Sequence, residues 1–222
     1  MILLSRCRKS KSILRDIMKN SWVKDGFQLA KLYYHYASMN AGKSARLLTD
    51  AHNYKERGMR VVIYKPAIDT RTSNTVSSRI GLNEKCELIA PDMDLFWDIQ
   101  RRNKIACIFV DEAQFLSKKN VFDLCRVVDE LEIPVMAYGL RTDFQLNLFE
   151  GSYWLLAWAD EIRELRGMCH CGRKATTVAR IDAQGNFVTE GAQVEIGAED
   201  KYVSLCRKHY HEKLLDTVGL NC

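Results

Sequence analysis

The sequence lacks any long apolar run, and this absence limits what the 222-residue chain can be. Apolar stretches such as residues 105–110 are far shorter than the roughly 20 residues that a membrane-spanning helix needs. Residues 1–28 also lack the apolar segment of a secretory signal peptide. Neither an internal repeat nor a low-complexity tract is present. We therefore expect a cytoplasmic protein with one main domain and an appendage, and no membrane partner.

The body of the chain also lacks a net charge. The formal charge is +5, but residues 1–28 hold seven Lys or Arg and only two Asp or Glu, which accounts for the whole excess. A basic groove for nucleic acid is therefore not indicated, and we expect no nucleic-acid partner. We interpret residues 1–28 as a basic, poorly ordered extension. A short amphipathic helix is the alternative there, since Ile13, Leu14, Ile17 and Met18 have helical spacing.

One short motif has the features of a phosphate-binding loop. Residues 37–44 lie between a strand pattern at 32–36 and a helical pattern at 44–57. Backbone N–H groups and the helix N-terminus can hold an anion there, while a Lys reaches phosphates and a hydroxyl binds Mg²⁺. The first position departs from G-x-x-x-x-G-K-[ST], so a surface turn remains an alternative. The predicted loop consists of Ala37, Ser38, Met39, Asn40, Ala41, Gly42, Lys43 and Ser44.

Strand and helix patterns alternate along the body. Apolar strands are predicted at residues 59–64, where Pro66 ends the strand, and at 105–110 and 133–138. Ser117 can cap one helix, Asp92 or Asp94 can cap another near residue 95, and residues 153–158 form a short apolar helix or a buried run. The polar segment 68–81 is predicted to be a loop. This order predicts an α/β fold with a parallel sheet and helices on both faces. We divide it into a nucleotide-binding domain at 29–166 and a smaller domain at 167–222.

Two acids follow the apolar strand pattern at 105–110. The carboxyl ends of parallel strands face the ligand crevice, so Asp111 and Glu112 should lie near the phosphate loop. Asp111 and Ser44 can hold Mg²⁺, and Glu112 can deprotonate the nucleophile of phosphoryl transfer. Ala113 and Gln114 continue the segment, and we assign them with it to ATP binding. Two solvated acids at a capped strand end are the alternative.

Three of the eight cysteines belong to a different motif. Cys169, Cys171, Cys206 and His209 offer three thiolates and an imidazole, a ligand set that suits tetrahedral Zn²⁺. Four protein ligands close such a site, so the zinc would be structural and would fix both ends of the loop at 172–205. Unligated cysteines are the alternative, and cysteines used in this way indicate a reducing compartment.

These motifs occur with further ones from about residue 29 to 211. The set comprises residues 39–44, Asp69-x-Arg71, residues 77–81, Asp111-Glu112-x-Gln114-Phe115, residues 138–144, Cys169-x-Cys171-Gly172 and Lys201-Tyr202-x4-Arg207. With them the chain resembles the zinc-containing thymidine kinases of bacteria and animal cytosol. The resemblance implies a P-loop NTPase (RecA-like) fold with a C-terminal zinc-ribbon or lasso domain. It also implies transfer of the ATP γ-phosphoryl group to the 5′-hydroxyl of thymidine or deoxyuridine.

The resemblance assigns roles to particular residues as well. Glu112 matches the general base, Lys43 the β/γ-phosphate ligand and Arg79 a second phosphate-facing cation. The walls around the base correspond to Met39, Phe115, Leu140, Phe144, Phe149, Gly197 and Tyr202. For Tyr202 alone, ordinary packing is an equal alternative. A homotetramer and feedback inhibition by thymidine triphosphate are also implied.

Two other functions fit parts of the sequence. An ATP-driven nucleic-acid motor is favoured by the acidic segment 111–114 after a buried strand, although the chain is short for two motor cores. A non-enzymatic zinc-ribbon adaptor would retain the cysteine motif and bind no nucleotide. ATP hydrolysis stimulated by nucleic acid would favour the first, and absence of nucleotide binding would favour the second.

Overall fold

The computed structural model describes residues 30–68, 74–193 and 201–217, with side chains up to residue 214. The predicted basic extension at 1–28 lies outside the described residues, as do Asp69, Arg71 and the pocket candidate Gly197. Among the described residues, no helix is both long and apolar enough to cross a bilayer.

A six-stranded sheet forms the centre of the molecule. Every strand pair in it is parallel, which confirms the predicted α/β fold. Its strands, in spatial order, are β5 (Glu87–Ile89), β2 (Val61–Pro66), β6 (Cys107–Val110), β7 (Val135–Leu140), β1 (Leu32–Ala37) and β8 (Glu161–Glu164). Because β6, β7 and β1 occupy the middle, their carboxyl ends lie side by side at one edge of the sheet.

Helices cover both faces of this sheet. They are α1 (Lys43–Glu56), α2 (Leu95–Gln100), α3 (Lys118–Leu131) and α4 (Glu150–Trp158). Successive residues of a strand point to opposite faces, so Ile108 joins the buried cluster with α2, α3 and α4 while Phe109 joins the one with α1. Strand β6 is buried throughout, as expected for a parallel strand covered on both faces.

Local capping fixes where two of the helices begin. The Ser117 side chain accepts a hydrogen bond from the Asn120 N–H group, and the Asn120 side-chain oxygen accepts one from the Ser117 N–H group, a complete capping box. Asp94 accepts from the Trp97 N–H group at the start of α2. Both residues were candidates from the sequence, because short polar side chains satisfy the unpaired N–H groups of a first helical turn.

Several element predictions need correction. The strand predicted at 59–64 runs from Val61 to Pro66. The proline was expected to end the strand before residue 66, but it is the last residue of the strand. Proline is tolerated there because it faces the short outer strand β5 at the end of the ladder. The loop predicted at 68–81 contains a strand, β3 (Thr75–Ser77), which forms an antiparallel hairpin with β4 (Asn83–Lys85). The two outer strands of the sheet were not predicted.

Residues 167–217, here called the C-terminal unit, form small antiparallel sheets and one helix. Strand β9 (Gly167–Met168) pairs with β10 (Lys174–Ala175), and β11 (Thr177–Arg180) pairs with β12 (Tyr202–Leu205). Helix α5 (Arg207–Thr217) follows directly. The unit has a small buried cluster of its own, made by Cys169, Ala175, Ala179, Leu205, Cys206 and Tyr210.

Candidate active site

The predicted phosphate loop connects β1 to α1 at the carboxyl edge of the sheet. Asn40 and Gly42 both have left-handed backbone conformations, with φ of 61° and 78°, which turn the chain sharply into the helix. No side chain caps the first turn of α1, so its N–H groups stay available for an anion. The Lys43 ammonium donates to the Ser38 carbonyl over 3.1 Å, which folds this cation back over the loop.

Asp111 and Ser44 meet beside this loop. The Ser44 hydroxyl donates to Asp111 Oδ2 over 3.0 Å, while the buried Asp111 Oδ1 has no hydrogen-bond partner among the described residues. Burial, with the neighbouring Glu112 charge, raises the pKa of Asp111 to about 7. A buried carboxylate oxygen without a donor next to a hydroxyl fits Mg²⁺, which prefers oxygen ligands and would favour the ionised form.

Glu112 leaves the sheet in a strained backbone conformation. Its φ is 50°, a region that a non-glycine residue occupies only where the surroundings hold it. The half-buried side chain is held by Gln114, whose Nε2 donates to Glu112 Oε2 over 2.5 Å. Ala113 and Gln114 lie in the 3₁₀ turn Ala113–Phe115 that follows, and both are buried. The Gln114 amide thus fixes the side chain of Glu112, the second acid of the pair.

The aromatic candidates gather where β7 ends. Phe115 and Phe149 meet edge to face with ring centroids 5.7 Å apart. Leu140 is the last residue of β7, and its carbonyl accepts from the Tyr34 hydroxyl over 2.8 Å. Phe144 is buried in the loop that follows, where its own carbonyl accepts a hydrogen bond from α5. Phe115 and Phe149, with Leu140 and Phe144 at the end of β7, are here called the wall.

The C-terminal unit closes on this wall and on the phosphate loop. Tyr202 begins β12 opposite Arg180, and two residues later the Ser204 hydroxyl donates to the Met39 carbonyl over 2.7 Å. The Tyr210 hydroxyl donates to the Phe144 carbonyl over the same distance. Two hydrogen bonds therefore connect the unit to the loop and to the wall, respectively.

Two predicted site residues are not brought to this cluster by the described contacts. Arg79 lies in the exposed turn of the β3–β4 hairpin, so its role at the phosphates stays a prediction. Gly197 lies outside the described residues. Ala37 ends β1 and is buried, as is Ser38, whose hydroxyl has no hydrogen-bond partner among the described residues.

The four predicted zinc ligands come together in the C-terminal unit. One ligand atom from each of Cys169, Cys171, Cys206 and His209 lies within 4.8 Å of the others. Cys169 Sγ is 3.3 Å from His209 Nδ1, and Cys171 Sγ is 3.9 Å from Cys206 Sγ. Thiolates about 2.3 Å from a tetrahedral metal lie about 3.8 Å apart, so the cluster fits Zn²⁺.

Within the cysteine cluster, the surroundings of Cys169 favour its thiolate form. Burial opposes ionisation of Cys169, but the backbone N–H groups of Cys171 and Cys206 and the His209 ring together lower its pKa to about 6. His170 stacks on the His209 ring with centroids 4.3 Å apart. Cys171 is shifted in the opposite direction: the Arg173 N–H group favours its thiolate, but burial and the neighbouring Cys169 and Cys206 raise its pKa.

Sequence reasoning missed the contacts that join these parts. The Ser204–Met39 bond spans 165 residues of chain, and the Gln114 side chain also bonds the Leu140 N–H group, 26 residues away. No local pattern signals either pairing. Gln114 was recognised only as a neighbour of the acid pair, with no role for its amide.

The fold and the site together define a class. A parallel sheet whose carboxyl edge carries a phosphate loop, an Asp bonded to the loop Ser, and a second fixed acid is the arrangement of a P-loop nucleotide-binding protein.

The comparison with known proteins narrows this class to one family. The family model described as thymidine kinase matches residues 30–210, and the chain belongs to the thymidine kinase family. It is similar to the thymidine kinase of Haemophilus influenzae (strain ATCC 51907 / DSM 11121 / KW20 / Rd), with 52% identity over 83% of this chain and 98% of that protein. The thymidine kinases of Ruegeria pomeroyi and Agrobacterium fabrum are 55% and 53% identical over 83% of this chain, covering 95% and 97% of their own lengths. The predicted family is thereby confirmed.

Proposed function

We propose that this member of the thymidine kinase family transfers the γ-phosphoryl group of ATP to the 5′-hydroxyl group of thymidine or deoxyuridine, giving the 5′-monophosphate for pyrimidine salvage. One observation carries the proposal. The fixed acid Glu112 directly follows Asp111, which is bonded to Ser44 of the phosphate loop, and comes three residues before Phe115, whose ring meets Phe149. An acceptor hydroxyl between wall and loop would meet a base and a phosphoryl donor together.

The proposed mechanism relies on positioning and charge. The loop N–H groups and Lys43 hold the β- and γ-phosphates, with Arg79 as a further cation, and Ala37–Ser44 with Ala113 and Gln114 line the ATP side. Glu112 accepts the proton of the 5′-hydroxyl group as the hydroxyl oxygen attacks the γ-phosphorus, and the bond from the γ-phosphorus to the bridging oxygen of ADP breaks, so that ADP leaves. Ser44 and Asp111 would hold Mg²⁺, which neutralises charge on the phosphate oxygens.

The nucleoside is proposed to lie against the wall that closes β7. Met39, Phe115, Leu140, Phe144, Phe149 and Tyr202 would surround the base, with Gly197 reading its edge through the backbone. Cys169, Cys171, Cys206 and His209 would hold a structural Zn²⁺ that secures both ends of this cover. In this division residues 29–166 form the nucleotide-binding domain and residues 167–222 the zinc-binding domain.

A homotetramer is the proposed assembly, in the cytoplasm, with thymidine triphosphate as feedback inhibitor. Support for association comes from an aromatic surface on α3 and α4. Phe122 and Tyr153 are 54% and 53% exposed there, next to a tilted stack of Trp154 on Trp158. Sedimentation of the full chain tests the assembly, and a monomer at micromolar concentration contradicts it.

Product analysis tests the function. The full chain with Mg²⁺ and ATP should convert thymidine to the 5′-monophosphate, observed by mass spectrometry and ³¹P NMR. The matched control is 5′-deoxythymidine, which keeps the base and sugar but lacks the acceptor hydroxyl, so it should give no product. Phosphate transfer to the control, or none to thymidine and deoxyuridine, contradicts the proposal.

A further inference from the structure

The side chain of Gln114 joins the two halves of the site. Its Oε1 accepts a hydrogen bond from the Leu140 N–H group over 2.9 Å, and its Nε2 donates to Glu112 Oε2. Leu140 ends β7 at the nucleoside wall, and Glu112 is the acid beside the phosphate loop. One buried amide, only 1% exposed, therefore spans the gap between them.

The orientation of this amide follows from its partners. A backbone N–H group can only donate, so the Gln114 oxygen must face Leu140. The nitrogen must then face Glu112, and the hydrogen bond that it donates is available to a carboxylate oxygen. The amide is thus suited to hold the Glu112 carboxylate in one orientation.

Two glycines hold the turn that carries Gln114. A Cβ atom on Gly139 of β7 would come within 2.9 Å of both Gln114 N and Gln114 Oε1. A Cβ atom on Gly151 of α4 would come within 2.3 Å of the Ala113 carbonyl oxygen. The 3₁₀ turn is therefore packed directly against strand and helix backbone, where side chains on these two residues would displace it.

From this geometry we propose that Gln114 is a positioning residue for the reaction, which aims the Glu112 carboxylate at the acceptor hydroxyl and ties its place to the β7 end of the nucleoside wall. The inference rests on the proposed function, because it assumes that Glu112 is the general base. In this role Gln114 acts through Glu112 and does not contact the reacting atoms.

The first test is Gln114→Glu, a substitution of nearly equal shape. The new carboxylate can still accept the hydrogen bond from the Leu140 N–H group. Its second oxygen cannot donate a hydrogen bond to Glu112, as the amide nitrogen of Gln114 does. We expect kcat to fall on the order of tenfold to a hundredfold, with KM for ATP within about twofold of normal. Like-charge repulsion should also move the acid limb of the kcat/KM profile up by about one pH unit.

The matched control is Gln100→Glu, which makes the same change of charge at the exposed end of α2. It should leave kcat and the pH profile unchanged. If Gln114→Glu does not fold, Gln114→Met keeps the length of the side chain without its hydrogen bonds, and circular dichroism with ATP affinity reports its fold. A folded Gln114→Met with normal kcat overturns the inference.

A double-mutant cycle separates the inference from the function on which it rests. If Gln114 acts through Glu112, Gln114→Glu should cost at most about twofold in single-turnover rate when Glu112→Gln is already present. An equal loss in both backgrounds overturns the positioning role while leaving the base assignment intact. Near-normal turnover by Glu112→Gln alone would instead overturn the assignment of the base, and the inference with it.

Discussion

Two polar clusters in this molecule are built in opposite ways. The acid pair at Asp111 and Glu112 follows β6, a strand buried on both faces within large apolar clusters. The Cys–His cluster lies in the C-terminal unit, where two-stranded sheets surround six buried residues. The first cluster is positioned by a large apolar core and by hydrogen bonds from Ser44 and Gln114, whereas the second has little apolar support.

This difference in apolar support indicates which part of the site depends on a metal. A large core holds the phosphate edge in place before any ligand binds. A small unit with so few buried residues needs an additional constraint, and a structural metal provides it. Since Ser204 and Tyr210 of that unit bond to Met39 and to Phe144, loss of the metal should affect the nucleoside side first.

The largest expected effect is at the phosphate edge. Glu112→Gln keeps the shape of the side chain and removes the proposed base, so kcat should fall by roughly 10²- to 10⁴-fold. ATP binding, measured by calorimetry, should persist because the phosphate loop is unchanged. Near-normal turnover would contradict the assignment of Glu112 as the general base.

Removal of a ligand from the C-terminal unit should have the next largest effect. Cys206→Ser should abolish stoichiometric zinc and raise hydrogen exchange across residues 167–217, while exchange in β6 and β7 stays low. Thymidine-dependent turnover should fall sharply with ATP affinity retained. Cys125→Ser, at a half-buried cysteine outside the cluster, is the matched control. Uniform loss of protection across the sheet would contradict the division between the two regions.

A smaller effect concerns the pH dependence of stability without Mg²⁺. Because the pKa of Asp111 is raised to about 7 in the fold, its contribution is complete below about pH 4 and is lost as pH rises through 7. Asp111→Asn carries no charge at any pH, so its Tm should gain on the wild type by a few degrees from about pH 5 to pH 8. A Tm difference that is constant with pH would show that Asp111 is not buried as described.

The smallest effect tests the connection between the regions. Ser204→Ala removes the hydrogen bond to the Met39 carbonyl and should cost about 1 kcal/mol, seen as a modest rise in KM for thymidine. Ser117→Ala removes a helix cap in the sheet region and should cost a similar free energy of unfolding with KM unchanged. If both variants changed KM equally, the Ser204–Met39 hydrogen bond would have no specific effect on thymidine binding.

Much of the fold followed from local patterns. The run at 105–110 is apolar enough to predict a buried strand, and the acids directly after it had to lie at the carboxyl edge of the sheet. Ser117 and Asp94 were recognisable as caps because capping is decided within three residues. The four ligand candidates were found for the same reason, since spacing within each pair is short.

The remainder depended on contacts that no local pattern encodes. The outer strands Glu87–Ile89 and Glu161–Glu164 are only three and four residues long, too short for a periodic pattern, and pairing with β2 and β1 makes them strands. The Gln114 bridge needs β7 beside the 3₁₀ turn, an arrangement set by the strand order. Tertiary packing decided these features, so sequence periodicity could not.

The most direct test of the account is ADP release by the purified full chain with Mg²⁺ and ATP, alone and then with thymidine, deoxyuridine, DNA or RNA. We expect ADP release only with thymidine or deoxyuridine, with one 5′-monophosphate formed for each ADP released. Turnover without a nucleoside, or only with nucleic acid, would contradict it and would assign the same phosphate loop to an ATP-driven motor.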